Sequence, residues 1–155
     1  MGRGVILAAG VAVPQNLGAA ADMFRQGCEL GDGRGCAAIA SMLVQGNGMQ
    51  PDIRTGAAYY QKGCDAGDTA SCLQLALLCG TVNGVGINWP RAAAALTRAC
   101  DLNNSSGCIG LGQMYQYGPG VPIDLRRAIA LYRQACDMGN SSGCNLWAAA
   151  TVENR

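Results

Sequence analysis

The chain has 155 residues, of which half are apolar and 14% are charged; it has no histidine, and its formal net charge is +1. This composition excludes a disordered chain, because disorder requires few apolar residues and many charges. The balanced charge gives no basis for binding nucleic acid or an anionic membrane. The absence of histidine removes most metal sites and the commonest general base, so we expect no metal and no cofactor.

The first residues of the chain allow two interpretations. The apolar segment 4–13 follows Arg3 and has the character of a short signal-peptide core. The repeat register favours another interpretation, because Val13-Pro14-Gln15-Asn16 matches Val121-Pro122-Ile123-Asp124. We therefore predict that residues 1–15 are the remnant of an upstream repeat, a helix end and a loop, and that the chain is a fragment. No stretch of the sequence is long enough to span a bilayer.

The cysteines set a period for the rest of the chain. Eight of the nine form pairs with the spacing C-x7-C, and the pairs recur every 36 residues. A fixed period of this length is typical of a repeat array, in which each unit buries its apolar face against its neighbours. We assign one repeat domain, 1–155, with units at 16–51, 52–87, 88–123 and 124–155. The pairs are Cys28/Cys36, Cys64/Cys72, Cys100/Cys108 and Cys136/Cys144.

Each unit is predicted to be a helical hairpin, so the fold class is all-α. In the fourth unit Asp124 can cap a first helix, Gly139 suits the positive φ that ends it, and Asn140 can cap a second helix. The loops between units are rich in glycine and proline. The equivalent positions in the other units are Asn16, Asp52 and Asn88 for the first cap, Gly31, Gly67 and Asn103 for the turn, and Asp32, Asp68 and Asn104 for the second cap.

Helical periodicity divides the first helix of each unit into an apolar and a polar face. Phe24, Tyr60, Leu96 and Tyr132 form one row of the predicted core. A row of small residues, Gly27, Gly63, Ala99 and Ala135, predicts that the two helices of a hairpin approach closely. The polar face is a candidate binding surface for a partner, or else a solvated face that carries only salt bridges. Its candidate partner-binding residues are Arg25, Gln61, Lys62, Arg98, Arg133 and Gln134.

The paired cysteines lie about one turn from the bend, one on each helix, where a disulfide can bridge the hairpin. Such regular pairing predicts disulfides made in an oxidising compartment. Zinc or reduced thiols remain the alternative, although C-x7-C lacks the short spacing of zinc modules. Cys79 has no pair, and we interpret it as a small buried thiol, with a nucleophile or a partner beyond this chain as alternatives.

One unit carries a family resemblance. The run from Gly107 to Asp124 and its continuation from Arg127 to Cys136 resemble the Sel1-like repeat, a relative of the tetratricopeptide repeat. The resemblance covers residues 5 to about 150. The C-x7-C pair is similar to a cysteine-rich bacterial subgroup whose disulfides staple the two helices of each repeat. The resemblance implies a right-handed α/α solenoid of about four units, with the first helix of each unit lining a concave surface.

The resemblance also implies a function, an exported scaffold that binds a protein or peptide partner through its concave face. The compartment would be the periplasm or the exterior, or alternatively the mitochondrial intermembrane space. The subgroup suggests another possibility, a β-lactam-binding protein with slow β-lactamase activity, whose ligand would be a β-lactam or peptidoglycan-like small molecule. That activity lacks its S-x-x-K motif, because no serine stands three residues before Lys62, the only lysine. We assign no catalytic residue and expect no enzyme.

Overall fold

The computed structural model describes residues 14–81 and 84–154, with side chains from Asn16 onward. These residues form eight helices and no strand, so the all-α prediction is confirmed. The helices are Pro14–Glu29 (α1), Gly33–Gln45 (α2), Ile53–Asp65 (α3), Thr69–Cys79 (α4), Trp89–Asp101 (α5), Ser105–Tyr117 (α6), Leu125–Asp137 (α7) and Ser141–Glu153 (α8).

The chain divides into two compact units, residues 1–71 and 72–155, and the boundary falls within α4. In the first unit α1 packs on α2, and α2 packs on α3. In the second unit α5 packs on α6, α6 on α7, and α7 on α8. Within each unit the helices therefore pack consecutively, in the manner of an α/α solenoid.

The helix starts follow the predicted caps, with one exception. The side chains of Asp52, Asn88 and Asp124 accept hydrogen bonds from backbone N–H groups three residues later. Asn16 was predicted to cap the first helix, but α1 begins at Pro14 and Asn16 lies in its first turn. Proline suits the first helical position, because the N–H that it lacks would have no partner there. Apart from Pro14 and Gln15, the predicted remnant at 1–15 lies outside the described residues.

The turns inside the hairpins confirm the sequence prediction. Gly31, Gly67 and Gly139 have φ angles of 93°, 96° and 91°. Asn103 has a φ of 67° and is the one non-glycine residue with positive φ in the described part of the chain. Asparagine tolerates this conformation better than other residues with a side chain, which explains why it can replace glycine here.

The two helices of each hairpin approach closely at the small residues near the bend. A methyl group on Gly107 would lie 2.6 Å from Cβ of Ala99, and one on Gly143 would lie 2.7 Å from Cβ of Ala135. These distances are shorter than carbon–carbon contact, so the close approach predicted from the small row is confirmed. Phe24 departs from the predicted core, because it is 38% exposed whereas Tyr132 in the same row is buried.

The first unit reaches the same fit with the residue sizes exchanged. Ser71 stands where Gly107 and Gly143 stand in the second unit, and it is fully buried. It faces Gly63, on which a methyl group would overlap the Ser71 hydroxyl. That hydroxyl donates a hydrogen bond of 2.5 Å to Asp68 Oδ2, so the buried polar atom is satisfied.

The close approach brings the paired cysteines within bridging distance. Disulfides join Cys28 to Cys36, Cys100 to Cys108 and Cys136 to Cys144, with Cα–Cα distances of 4.5, 4.6 and 4.5 Å. Such distances lie near the short end of the range for disulfides, which begins at about 4.4 Å. Cys64 and Cys72 are also disulfide-bonded.

The core of the second unit contains one fully buried phenol, Tyr132 of α7. Its O–H donates a hydrogen bond of 2.6 Å to Oε1 of Gln116 on α6, and Gln116 donates one of 3.0 Å to Glu153 on α8. Burial, with smaller contributions from Tyr117 and Glu153, raises the pKa of Tyr132 to about 12. The fold therefore favours the neutral phenol.

We predict a loss of stability at high pH that depends on Tyr132. Its pKa in the folded state lies above the unfolded value of about 10, so the contribution is complete below pH 10 and is lost as the pH rises towards 12. Chemical unfolding at a series of pH values should show this loss for the native sequence and a smaller one for Tyr132→Phe. Equal slopes in the two proteins would show that Tyr132 does not control the alkaline transition.

Candidate partner-binding site

The six residues predicted to bind a partner lie on α1, α3, α5 and α7, and most of them have intramolecular contacts. Arg25 forms an ion pair of 2.9 Å with Asp22. The ammonium of Lys62 lies 5.5 Å from the ring centre of Tyr59, and the guanidinium of Arg133 lies 5.6 Å from that of Trp147.

The remaining three differ in their surroundings. Gln61 donates a hydrogen bond of 3.1 Å to Asp65, and Arg98 also has a contact within the chain. Gln134 alone among the six lines one of the two cavities described below. The structure therefore does not gather the predicted residues into a single pocket in either unit.

The larger cavity lies in the second unit, between α4, α5 and α6, and has a volume of about 480 Å³. It was not predicted from the sequence, which pointed to the polar faces of α5 and α7 instead. Its lining is almost wholly apolar and contains no charged side chain. The lining residues are Leu73, Ala76, Leu77, Gly80, Thr81, Trp89, Ala92, Leu96, Gly110, Gln113, Met114, Tyr117 and Pro119.

Glycines leave room for the walls of this apolar cavity. A methyl group on Gly80 would lie 3.0 Å from the ring of Trp89, and one on Gly110 would lie 2.9 Å from Leu96. Gly120 has a φ of 75° and packs directly on Trp89, where no side chain would fit. These contacts fix the position of Trp89 at the start of α5, so the wall that it forms is defined before any ligand binds.

Two large side chains lie exposed at the apolar cavity. Leu77 on α4 is 58% exposed, and Tyr117 at the end of α6 is 69% exposed. Thr81 and Gln113 add the only hydroxyl and amide groups near them in the lining. An apolar concave site with a few polar groups is the usual form of a binding site, so this cavity is the strongest candidate in the second unit.

A second, polar cavity of about 280 Å³ lies between α5, α6 and α7. It uses a different face of α6 from the apolar cavity, because Leu111 and Tyr115 line it whereas Gly110 and Met114 line the other. The guanidinium of Arg127 lies 5.0 Å from the ring centre of Tyr115. The lining residues are Thr97, Asp101, Leu111, Tyr115, Arg127, Ala130, Leu131 and Gln134.

The groups that could perform catalysis have structural roles in the described residues. Cys79 is a buried free thiol, and burial raises its pKa, which disfavours the reactive thiolate. Ser105 accepts a hydrogen bond of 3.0 Å from Asn140, and Ser71 is buried. Within residues 14–81 and 84–154 no cluster of acidic or cysteine side chains could hold a metal ion. No helix in these ranges is both long and apolar enough to cross a membrane.

Three solved structures have a similar fold. Cysteine rich protein B of Helicobacter pylori has a TM-score of 0.66 and 26% identity, over 88% of this chain and 98% of that protein. A Sel1 repeat protein from Oxalobacter formigenes has a TM-score of 0.66 and 20% identity, over 82% of this chain and 51% of that one. A protective antigen present in uropathogenic Escherichia coli, with an SLR fold, has a TM-score of 0.73 and 21% identity, over 97% and 32%.

The chain thus spans about half the length of the Oxalobacter protein and about a third of the Escherichia protein. No curated protein is significantly similar to it in sequence. The β-lactamase expectation gains no support from these likenesses.

The family comparison identifies the repeat directly. The Sel1 repeat model matches residues 1–32, 33–68 and 105–140, which is more than half of the chain. Two of these matches begin at the starts of α2 and α6, so α6, which lines the apolar cavity, is the first helix of a repeat in the family's register. The chain therefore belongs to the Sel1 repeat family.

Proposed function

We propose that the protein is an exported Sel1-repeat scaffold that binds a peptide segment of a partner protein in the apolar cavity between α4, α5 and α6. The observation that carries this proposal is the apolar lining of about 480 Å³ with Leu77 and Tyr117 exposed beside it. Proteins built from Sel1 repeats generally mediate contacts between proteins, which agrees with a binding role rather than catalysis.

The chemistry of the apolar cavity defines the segment that it binds. The walls contain no charge, so a large aliphatic or aromatic side chain is favoured there and a charged one is excluded by desolvation. Exposed Leu77 and Tyr117 would lose water when such a side chain enters, which is typical of the centre of a protein interface. Gln113 and Thr81 can bond to the backbone of the segment on either side of this anchor.

The disulfides support export. Disulfides persist in oxidising compartments, and a chain that carries them at each repeat suits the periplasm or the exterior. The mitochondrial intermembrane space has the same redox chemistry and remains the alternative. Intact mass with and without reductant on protein from its native compartment tests this proposal, because four disulfides predict a gain of about eight protons on reduction.

The polar residues identified from the sequence are proposed as secondary contacts, within each unit separately. In the second unit Arg98, Arg133 and Gln134 would hold acidic or amide groups of the partner, and in the first unit Arg25, Gln61 and Lys62 would do the same. Charge reversal of Arg98 and Arg133 together should weaken binding of a partner. Unchanged affinity in that double variant would remove these residues from the interface.

The apolar cavity gives the main test of the proposed function. Peptides selected from a random library on the oxidised protein should share one large apolar residue. Leu77→Ser should weaken their binding about tenfold, because burial of a leucine side chain contributes about 1.5 kcal/mol or more. The matched control is Ile123→Ser, since Ile123 is 69% exposed and lies outside the apolar cavity. Binding can be measured by fluorescence anisotropy.

Three outcomes would contradict the proposal. One is a selected set without a common apolar residue, and another is an equal loss of affinity in the two serine variants. The third is self-association of the free protein in sedimentation that Leu77→Ser abolishes. This result would show that a second copy occupies the apolar cavity.

A further inference from the structure

The polar cavity between α5, α6 and α7 has opposite charges on facing walls. Asp101 lies on the α5 side and Arg127 on the α7 side, and Leu111 and Tyr115 of α6 lie between them. Among the described residues, Asp101 and Arg127 do not form an ion pair with each other within 4.0 Å. The cavity therefore separates two opposite charges instead of neutralising them.

Each charge is presented in a way that favours an external partner. The Arg127 guanidinium stacks on the ring of Tyr115, which fixes its plane while its N–H donors stay available. Asp101 is the last residue of α5, where the helix dipole disfavours a negative charge, so a cation beside it would be stabilised. Gln134 adds an amide on the α7 side.

From these contacts we infer that the polar cavity is a second docking site, which takes a peptide segment carrying one basic and one acidic side chain. The basic side chain pairs with Asp101 and the acidic side chain pairs with Arg127, while the aliphatic parts of both lie over Leu111 and Tyr115. Because the two charges stand on different helices, the site reads the order of the charges along the segment as well as their presence. This inference does not depend on the apolar cavity, which uses the other face of α6.

Three labelled peptides of equal length provide the test. One has lysine before glutamate, the second has the same residues in reverse order, and the third has glutamine at both positions. At low ionic strength one charged order should bind about fivefold tighter than the glutamine peptide, since exposed ion pairs contribute up to about 1 kcal/mol each. The preference should fade with added salt, because exposed charges are screened.

Exchanging the two charges gives the decisive variant. The double variant Asp101→Arg/Arg127→Asp should prefer the opposite peptide order, and neither residue is buried, so the fold should persist. The controls are Asp137→Asn, which changes the corresponding last residue of α7, and Arg126→Gln, which changes the neighbour of Arg127. Both lie outside the polar cavity and should keep the original preference.

The result that would overturn the inference is the absence of any order preference in the native protein, or a preference that the exchanged variant retains. Leu77→Ser should leave the peptide order preference unchanged. A loss of that preference in Leu77→Ser would show that the charged peptides bind at the apolar cavity, and it would also overturn the inference.

Discussion

Replacing Cys100 and Cys108 together by alanine should lower the free energy of unfolding by about 2.5 kcal/mol. The disulfide closes a loop of nine residues, and the entropy that this closure removes from the unfolded chain gives a value of that size. Alanine is the appropriate replacement, because both sulfur atoms lie in the core and a serine hydroxyl there would lack a partner. Urea unfolding measures the change.

The matched control for this prediction is Cys79→Ala. Cys79 is equally buried but forms no disulfide, so its replacement removes one buried sulfur without opening a loop. Reductant should still destabilise Cys79→Ala to the full extent, and should destabilise the double variant less than the native protein. An equal effect of reductant on the native protein and on the double variant would show that this disulfide does not stabilise the hairpin.

The disulfides matter for function because they set the stability of the whole array. Four disulfides of this size would contribute roughly 10 kcal/mol if their effects were additive, which equals the net stability of a typical domain. The aromatic content of the chain is low, at 5%, so its core has few large side chains to replace that contribution. We therefore expect the fully reduced protein to lose both its fold and its peptide binding.

Gly107→Ala should destabilise the protein, by about 1–3 kcal/mol, although alanine is the better helix former. The added methyl group would lie 2.6 Å from Cβ of Ala99 and 2.8 Å from the backbone nitrogen of Cys100. The backbone atom cannot move without shifting α5 away from α6. Thermal or urea unfolding of the oxidised protein measures the effect.

Gly18→Ala is the control of opposite sign. Gly18 lies on the exposed face of α1, and a methyl group there would meet no atom within 4 Å. Its replacement should stabilise the protein by about 0.5–1 kcal/mol through helix propensity alone. If Gly107→Ala were as stabilising as Gly18→Ala, the close approach of α5 and α6 would be wrong.

A compensating variant tests the same contact further. Ala99→Gly with Gly107→Ala places the larger residue on the second helix, as in the Gly63 and Ser71 pair of the first unit. It should recover part of the stability that Gly107→Ala loses. Full recovery is not expected, because the backbone of Cys100 still meets the new methyl group. No recovery would indicate that the backbone contact alone sets the loss.

The local features of the fold follow from the sequence because they depend on residues close in the chain. Asp52 and Asp124 cap their helices, and Asn103 adopts positive φ, through bonds within a few residues. The small row predicted close helices because the period of 36 residues made it visible in every unit. Asn16 was misplaced because Pro14, two residues earlier, competes with it as a helix start.

The candidate sites could not be read from the sequence in the same way. The apolar cavity needs Leu77, Trp89 and Tyr117 from three helices, and a repeat period does not show which of them leave a gap. The sequence signal that was present is the departure of the second unit at residues 77–80, where Leu77 is now seen to line the cavity. The polar cavity was approached through Gln134, but its charged pair, Asp101 and Arg127, was not recognised.

The most direct test of the proposed function is amide and side-chain NMR of the oxidised protein titrated with a library-selected peptide. We predict that the indole N–H of Trp89 and the signals of Leu77 and Gln113 shift together, with saturation at one equivalent. Shifts confined to α7 and α8, or to residues 14–71, would contradict binding in the cavity between α4, α5 and α6.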